Sequence, residues 1–250
     1  MSYVARALFR AIPDSFTRAI SREVPRVPID LALARQQHAA YRAAFDATPI
    51  LVDADEACPD CVFVEDTAVI LDGKALITRP GAASRLAETS AIARALAPHL
   101  DLVAMEPPAT LDGGDVMVAG GRIYVGRSAR TNADGIEMLR RVFGAQRVLP
   151  IGLPAHVLHL KCVVTPLGSG VALADRSLSP ELFPGMPIVR IPAEETYAAN
   201  VVDLGGAVIA AAEFPRTLEA LTAAGYHVRP VPTTEVQKAD GSLTCQSLRW

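Results

Sequence analysis

No run of about twenty residues in this chain is apolar enough to span a bilayer. Nor does the chain open on a signal peptide: Met1-Ser-Tyr-Val-Ala-Arg-Ala-Leu-Phe-Arg10 holds only short apolar pieces broken by arginines. Low-complexity linkers and shifts of composition are also missing, so residues 1–250 read as one domain. Net charge is small. A formal charge of −3 excludes the basic footprint of a nucleic-acid binder, while an acidic balance mildly favours a cationic ligand. Cysteine is sparse as well. The four thiols lack the second pair that a structural zinc site would want. In the expected cytoplasmic setting they stay reduced.

Half of the residues are hydrophobic and a fifth are charged, enough for a sizeable core and too apolar for disorder. A hairpin pattern recurs, each copy a β-rich run, a glycine turn and a second run. It covers Thr67–Arg79, Asp115–Gly126, Lys161–Ala174 and Val201–Ala211. Helical spacing falls between the hairpins, over Leu31–Phe45, Ser84–Leu96, Asn132–Phe143 and Thr217–Ala224. Gly225 then stops the last helix before a strand over Tyr226–Val231. Periodicity gives an α/β chain of repeated hairpins, and the repeat length fits a closed, propeller-like array. Cys58-Pro-Asp-Cys61 invites a redox or zinc reading, but Pro59-Asp60 is a turn signal ahead of an apolar strand, Val62-Phe-Val64.

Four blocks carry reactive groups. The first is Gly241-Ser-Leu-Thr-Cys-Gln-Ser-Leu-Arg-Trp250, which reads as a strand holding Cys245 at a chain end that would otherwise fray. By local sequence alone a buried, inert thiol competes with a nucleophile there. The second, Leu158-His-Leu-Lys161, sets His159 at the start of an apolar strand, where a core histidine is the plain alternative. His156, three residues earlier, would share its face only on a helix, which disfavours a metal pair. The third, Leu111-Asp-Gly-Gly-Asp115, is either a turn or backbone brought close to a ligand. The fourth, Asp60-Cys-Val-Phe-Val-Glu-Asp66, has three acids around an apolar strand, a poor core strand and a good trap for a cation. Thiol, imidazole and acids on distant segments are how a Cys-His enzyme is laid out, with partners adjacent in space.

Together with Ala11-Ile-Pro-Asp-Ser-Phe-Thr-Arg18, these blocks resemble the dimethylargininase (dimethylarginine dimethylaminohydrolase) family of the guanidine-modifying superfamily, over almost the whole chain. The resemblance implies a five-bladed α/β-propeller, or pentein, of repeated ββαβ-like units around a central axis. It implies Cys245 as nucleophile, His159 as general acid and base, and Asp112 as the acid supporting the histidine. Asp112 stands where the family has Glu or Asp, so its carboxylate is set back by one methylene if Glu is the reference. Asp115 is expected to be structural. For the substrate, the resemblance places Asp66 opposite Asp112 on the guanidinium, with Asp60 and Glu65 nearby. Arg85 and Arg130 meet the α-carboxylate, the Ala239 carbonyl meets the α-amino group, and Phe16 replaces a leucine of a lid loop.

The expected reaction is hydrolysis of methylated arginine to citrulline and a methylamine through a covalent S-alkylthiouronium, with no metal or organic cofactor. The expected partner is the small-molecule substrate, with neither nucleic acid nor membrane, and a homodimer is left open. Two other readings stand beside it. Arginine deiminases typically carry His-x-Asp, where this chain has His159-Leu-Lys161, and a lysine cannot grip a guanidinium. A non-catalytic pentein binding protein, resembling ribosome anti-association factors, would be expected to lack the cysteine or the histidine.

Overall fold

The computed structural model describes residues 4–22, 26–168 and 170–250. Its strands form five three-stranded sheets. β1 (Arg6–Arg10) and β2 (Thr48–Val52) make one sheet with the C-terminal β15 (Leu248–Arg249). β3 (Ala68–Leu71), β4 (Lys74–Ile77) and β5 (Asp101–Ala104) make the next, followed by β6 (Val116–Ala119), β7 (Arg122–Arg127) and β8 (Val148–Gly152). Then come β9 (Val164–Pro166), β10 (Ala172–Ala174) and β11 (Ile188–Arg190), and finally β12 (Val202–Asp203), β13 (Val208–Ala211) and β14 (Val228–Val231).

Every sheet has the same plan. An inner strand pairs antiparallel with a middle strand, which pairs parallel with an outer one. A hairpin can make the first connection, but a parallel pair needs a crossover. Helices supply it in four units: α1 (Leu31–Ala43), α2 (Thr89–Leu96), α3 (Ala133–Phe143) and α4 (Pro215–Ala223). The β10–β11 crossover has only a 3-10 turn at Pro180–Leu182, so the expected ββαβ unit is incomplete there. A short α5 (Thr234–Gln237) precedes the C-terminal block.

Local chemistry explains the boundaries. Asn132 and Asp30 cap α3 and α1 by accepting from the Gly135 and Leu33 amides. After α4, Gly225 takes φ +89°, and the Gly225 and Tyr226 amides return to the Thr222 and Leu221 carbonyls. Asp72-Gly73 joins β3 to β4 with both residues at positive φ, the turn whose twist suits a hairpin. Apolar side chains fill the seams between sheets. Leu76, Ile123, Leu139 and Phe143 pack in one seam, and Tyr124, Leu160 and Phe183 in another. The chain end is tied down, because β15 pairs with β1 and the Trp250 carbonyl accepts from the Ala5 and Arg6 amides.

The five inner strands surround an axial cavity of about 670 Å³. A 3-10 turn precedes each of them: Val64–Thr67, Gly113–Asp115, Leu160–Cys162, Thr196–Ala199 and Thr244–Gln246. Three expectations are corrected here. Val62–Val64 is not a strand, Cys245 lies in a 3-10 turn rather than in a strand, and His159 caps a 3-10 turn. Strand pairing begins only after the chain has turned at the axis. The polar residues of these blocks therefore converge there instead of alternating across a sheet.

Candidate active site

The five turns bring their side chains together in two adjoining small cavities, each of about 40 Å³, that share His159, Asp240 and Cys245. The inner cavity adds Glu65, Gly114, Lys161, Tyr197, Asn200 and Ser242, with Cys162. The outer one adds Asp60, Asp66, Arg85, Arg130 and Ala239, with Ile20 and Arg22 across it. Gly114 is needed for its lack of a side chain: a Cβ there would lie 2.6 Å from His159 Nδ1 and 2.9 Å from an Asp66 oxygen.

His159 is the electrostatic centre. Its Nε2 lies 3.0 Å from Asp112 Oδ2. Burial alone would strip the imidazole of its proton, but Asp66, the Asp112 hydrogen bond and Asp115 outweigh it and lift the pKa from 6.5 to about 9. Burial also works against the Asp66 carboxylate, yet His159, Arg85 and the Gly114 amide hold that group below its usual range. Cys245 goes the other way. Burial, reinforced by Glu65 and Asp66, pushes its thiol well above the usual value. In this state the pocket holds a protonated imidazole and a neutral thiol.

Each acid of the site has a defined anchor. Asp112 Oδ1 accepts from the Gly81 amide at 2.8 Å, and Arg130 Nη1 lies 3.7 Å from Oδ2. The shorter side chain therefore still reaches the histidine. Asp115 accepts from Ser128, Thr131 and the Leu160 amide, which fits the structural part expected of it. Asp66 accepts from Gly114 and from Arg85 Nη1, the latter at 2.5 Å. Glu65 receives the Lys161 ammonium at 2.5 Å and the Thr244 hydroxyl at 2.7 Å. That pair borders both the inner cavity and the axial one.

Among the expected substrate contacts, Asp60, Glu65, Asp66, Arg85, Arg130 and Ala239 all line the two cavities. Arg85 has little left to offer a carboxylate. Its Nε bonds Glu88, its Nη2 bonds Glu88 and the Phe63 carbonyl, and one Nη1 hydrogen goes to Asp66, so of five donors one is free. Asp60 accepts from the Ile20 amide, tying the N-terminal segment across the outer cavity. Phe16 is not among the lining residues. It is fully buried, its ring centroid 5.8 Å from that of Phe63. Ile20 and Arg22 of the same segment line the outer cavity instead, and Arg22 is held by Asp240 and the His156 carbonyl. The segment's apolar anchor and its pocket contact are different residues.

Sequence reasoning missed Tyr197, Asn200, Ser242 and Asp240. The repeat carried a signal for the first two, since Thr196–Ala199 occupies in its unit the place that Val64–Thr67 and Leu160–Cys162 hold in theirs. Asp66, Asp112 and His159 put donor atoms within 4.8 Å of one another. Arg85, Gly114 and Gly81 already engage the carboxylates, so a metal ion would have to displace the arginine and the imidazole proton.

No family model matches the chain. It is 39% identical to the N(G),N(G)-dimethylarginine dimethylaminohydrolase of Streptomyces coelicolor, over 98% of this chain and 96% of that protein. Against the protein of the same description from Pseudomonas aeruginosa, identity is 37% over 99% and 98%. Among solved structures, a cysteine-to-serine variant of the Pseudomonas aeruginosa enzyme complexed with citrulline superposes with a TM-score of 0.93 at 35% identity, covering 100% of both chains. The N-terminal domain of ArgZ, an arginine dihydrolase, superposes with a TM-score of 0.87 at 20% identity over 99% of this chain and 97% of that one, a likeness of fold.

Proposed function

The chain belongs to the N(G),N(G)-dimethylarginine dimethylaminohydrolase family, and from that premise we propose that it hydrolyses Nω-methylated arginine to citrulline and a methylamine. The observation that carries the proposal is the buried His159, bonded to Asp112 and sharing both cavities with Cys245.

A guanidinium entering between Asp66 and Cys245 brings positive charge to a thiol that burial and two acids keep protonated. Asp112, which lines neither cavity, acts from behind His159 and not on the substrate. The cation stabilises the thiolate, and the thiol proton leaves for solvent. The thiolate then adds to the guanidinium carbon. His159, already an imidazolium at neutral pH, gives its proton to the methylated nitrogen, the C–N bond breaks, and a cationic thiouronium is left on Cys245. Neutral His159 next takes a proton from water as the oxygen adds to the same carbon. Collapse forms the carbonyl, expels the Cys245 thiolate, and releases the hydroxyl proton to solvent, where the free amine takes it up.

Arg130, whose nearest acid is 3.7 Å away, is the freer fork for an α-carboxylate, and the Ala239 carbonyl serves the α-amino group. Lys161 is committed to Glu65, which supports the reading that it takes no part in gripping the guanidinium. The site draws on residues from Asp60 to Cys245, in support of 1–250 as one domain. Among the described residues no helix is long and apolar enough to cross a membrane. A cytoplasmic location, with a homodimer as an admissible assembly, completes the proposal, and fractionation and light scattering check both.

The test is a product assay with asymmetric dimethylarginine, monomethylarginine and arginine, scoring citrulline and the released amine separately. Methylated substrates are expected to win clearly in kcat/KM. Faster release of ammonia from free arginine would replace this reading with a deiminase.

A further inference from the structure

The proposed reaction needs one place for two unlike guests. A methylated amine must leave the guanidinium carbon, and water must then approach the same carbon, because His159 serves both steps. The inner cavity beside Cys245 meets that requirement. It has about 40 Å³ of space, and ~10–15 Å³ holds one water, so it takes about three water-sized groups, as many as a nitrogen and two methyls. Gly114, Cys162 and the Tyr197 ring give it apolar walls.

Its polar groups divide sharply. Asn200 is spent on the Lys161 carbonyl and on the Thr244 amide and hydroxyl. Lys161 and Thr244 are spent on Glu65. Tyr197 Oη and Ser242 Oγ are buried and lie within reach of each other, and neither has any other hydrogen-bond partner. Buried hydroxyls normally find a partner. Two hydroxyls with no partner beyond each other leave one hydrogen unspent, and beside a reacting centre they mark a place where a small polar guest is held between them.

We propose that this compartment receives the departing methylated amine and then the hydrolytic water, with Tyr197 and Ser242 as positioning residues for that water. The inference rests on the methylarginine hydrolysis proposed above. In the first half-reaction the S–C bond forms, the C–N bond breaks, and the methyl groups lie against Cys162, Gly114 and the Tyr197 ring. In the second, water accepts hydrogen bonds from the two hydroxyls and gives one proton to His159. Its oxygen then bonds to the thiouronium carbon, and the S–C bond breaks to return the Cys245 thiolate.

The two halves are separated by rapid quenching with dimethylarginine, following amine release and, by mass spectrometry, the Cys245 adduct. Tyr197→Phe and Ser242→Ala should release the first equivalent of amine within about threefold of the wild-type rate, as neither hydroxyl serves that step. Citrulline release should slow by about tenfold or more, so that the adduct accumulates and kcat and KM fall together. Cys162→Leu, which fills the compartment, should slow adduct formation from dimethylarginine by about tenfold more than from monomethylarginine. If both hydroxyl variants keep wild-type kcat, or slow the first amine release without accumulating adduct, the assignment is overturned while the activity stands. A wild-type protein that releases no amine from either methylated substrate overturns the activity, and the assignment with it.

Discussion

The chain buries two histidines almost equally, His38 at 4% exposure and His159 at 6%, and treats them in opposite ways. His38, on α1, has its ring centroid 6.4 Å from that of Phe9, and its Nε2 has no partner. Burial, helped by Arg42, lowers its pKa to about 3. His159 stands at the axis among Asp66, Asp112 and Asp115, and its pKa rises to about 9. Burial is the largest influence on both and it pulls both the same way. The sign is decided by the carboxylates that the inner turns deliver to one and withhold from the other. A buried imidazole is an acid ready to donate only where the fold has gathered acids around it.

The axial side of this contrast breaks most completely at the thiol. Cys245→Ser should lower turnover by on the order of 10³ or more with the fold intact, since the exchange removes little volume. Cys58→Ser and Cys61→Ser should retain substantial activity. Loss of turnover at either of those, with Cys245→Ser active, would reverse the assignment of the nucleophile.

Next in size is the imidazole. His159→Asn should cost ~10²–10⁴ in turnover and trap a covalent adduct visible by mass spectrometry. His38→Leu should leave kcat and KM as they are. A large activity loss at His38 would mean that the two histidines are coupled after all.

Asp112→Asn should act through the histidine. Loss of a charged hydrogen-bond partner costs roughly 1.5–3 kcal/mol. The basic limb of the kcat/KM profile, which reports the free enzyme, should move down from about 9 toward the ordinary imidazole value of 6.5. A lowered rate with an unmoved basic limb would show that Asp112 only shapes the pocket.

The smallest effects are on stability, and their signs oppose each other. The folded pKa of His159 is raised, so its contribution is fully present below 6.5 and is lost as pH rises to about 9. The stability gap between wild type and His159→Asn should therefore shrink over that window. The folded pKa of His38 is lowered to about 3, so the folded state pays for keeping it neutral as pH falls below 6.5. His38→Leu should gain on the order of 2 kcal/mol over wild type at about pH 5, from about 1.5 units at 1.36 kcal/mol each. Urea titrations at about pH 5, 7 and 9 read both, and a His38→Leu advantage independent of pH would refute the neutral-histidine account.

Most of the fold was legible because its signals are local. Helical spacing marked α1, α3 and α4 to within a few residues, Asn132 and Gly225 marked two ends, and glycine turns marked the hairpins. The fourth crossover departs from the expected ββαβ unit, with a 3-10 turn at Pro180–Leu182 where a helix was expected. The inner turns were misread as strands because Phe63-Val64 and Leu158–Leu160 are apolar in either conformation. What separates a strand from a turn there is pairing with residues far along the chain.

The sequence by itself determined which groups exist for chemistry: one thiol in Thr-Cys-Gln, one histidine in Leu-His-Leu-Lys, and acids in Phe-Val-Glu-Asp and Leu-Asp-Gly-Gly-Asp. Their order and spacing were enough for the resemblance to a family that the relatives bear out. Only the tertiary structure decided their states. It spent Arg85 on Asp66 and Glu88, Lys161 on Glu65, and Phe16 on the core, and it left Tyr197 and Ser242 with no partner beyond each other beside Cys245. A residue type fixes what a group can donate or accept. Its charge and its free valence depend on neighbours within a few ångströms, and here those neighbours come from five separate turns that meet only when the ring of sheets closes.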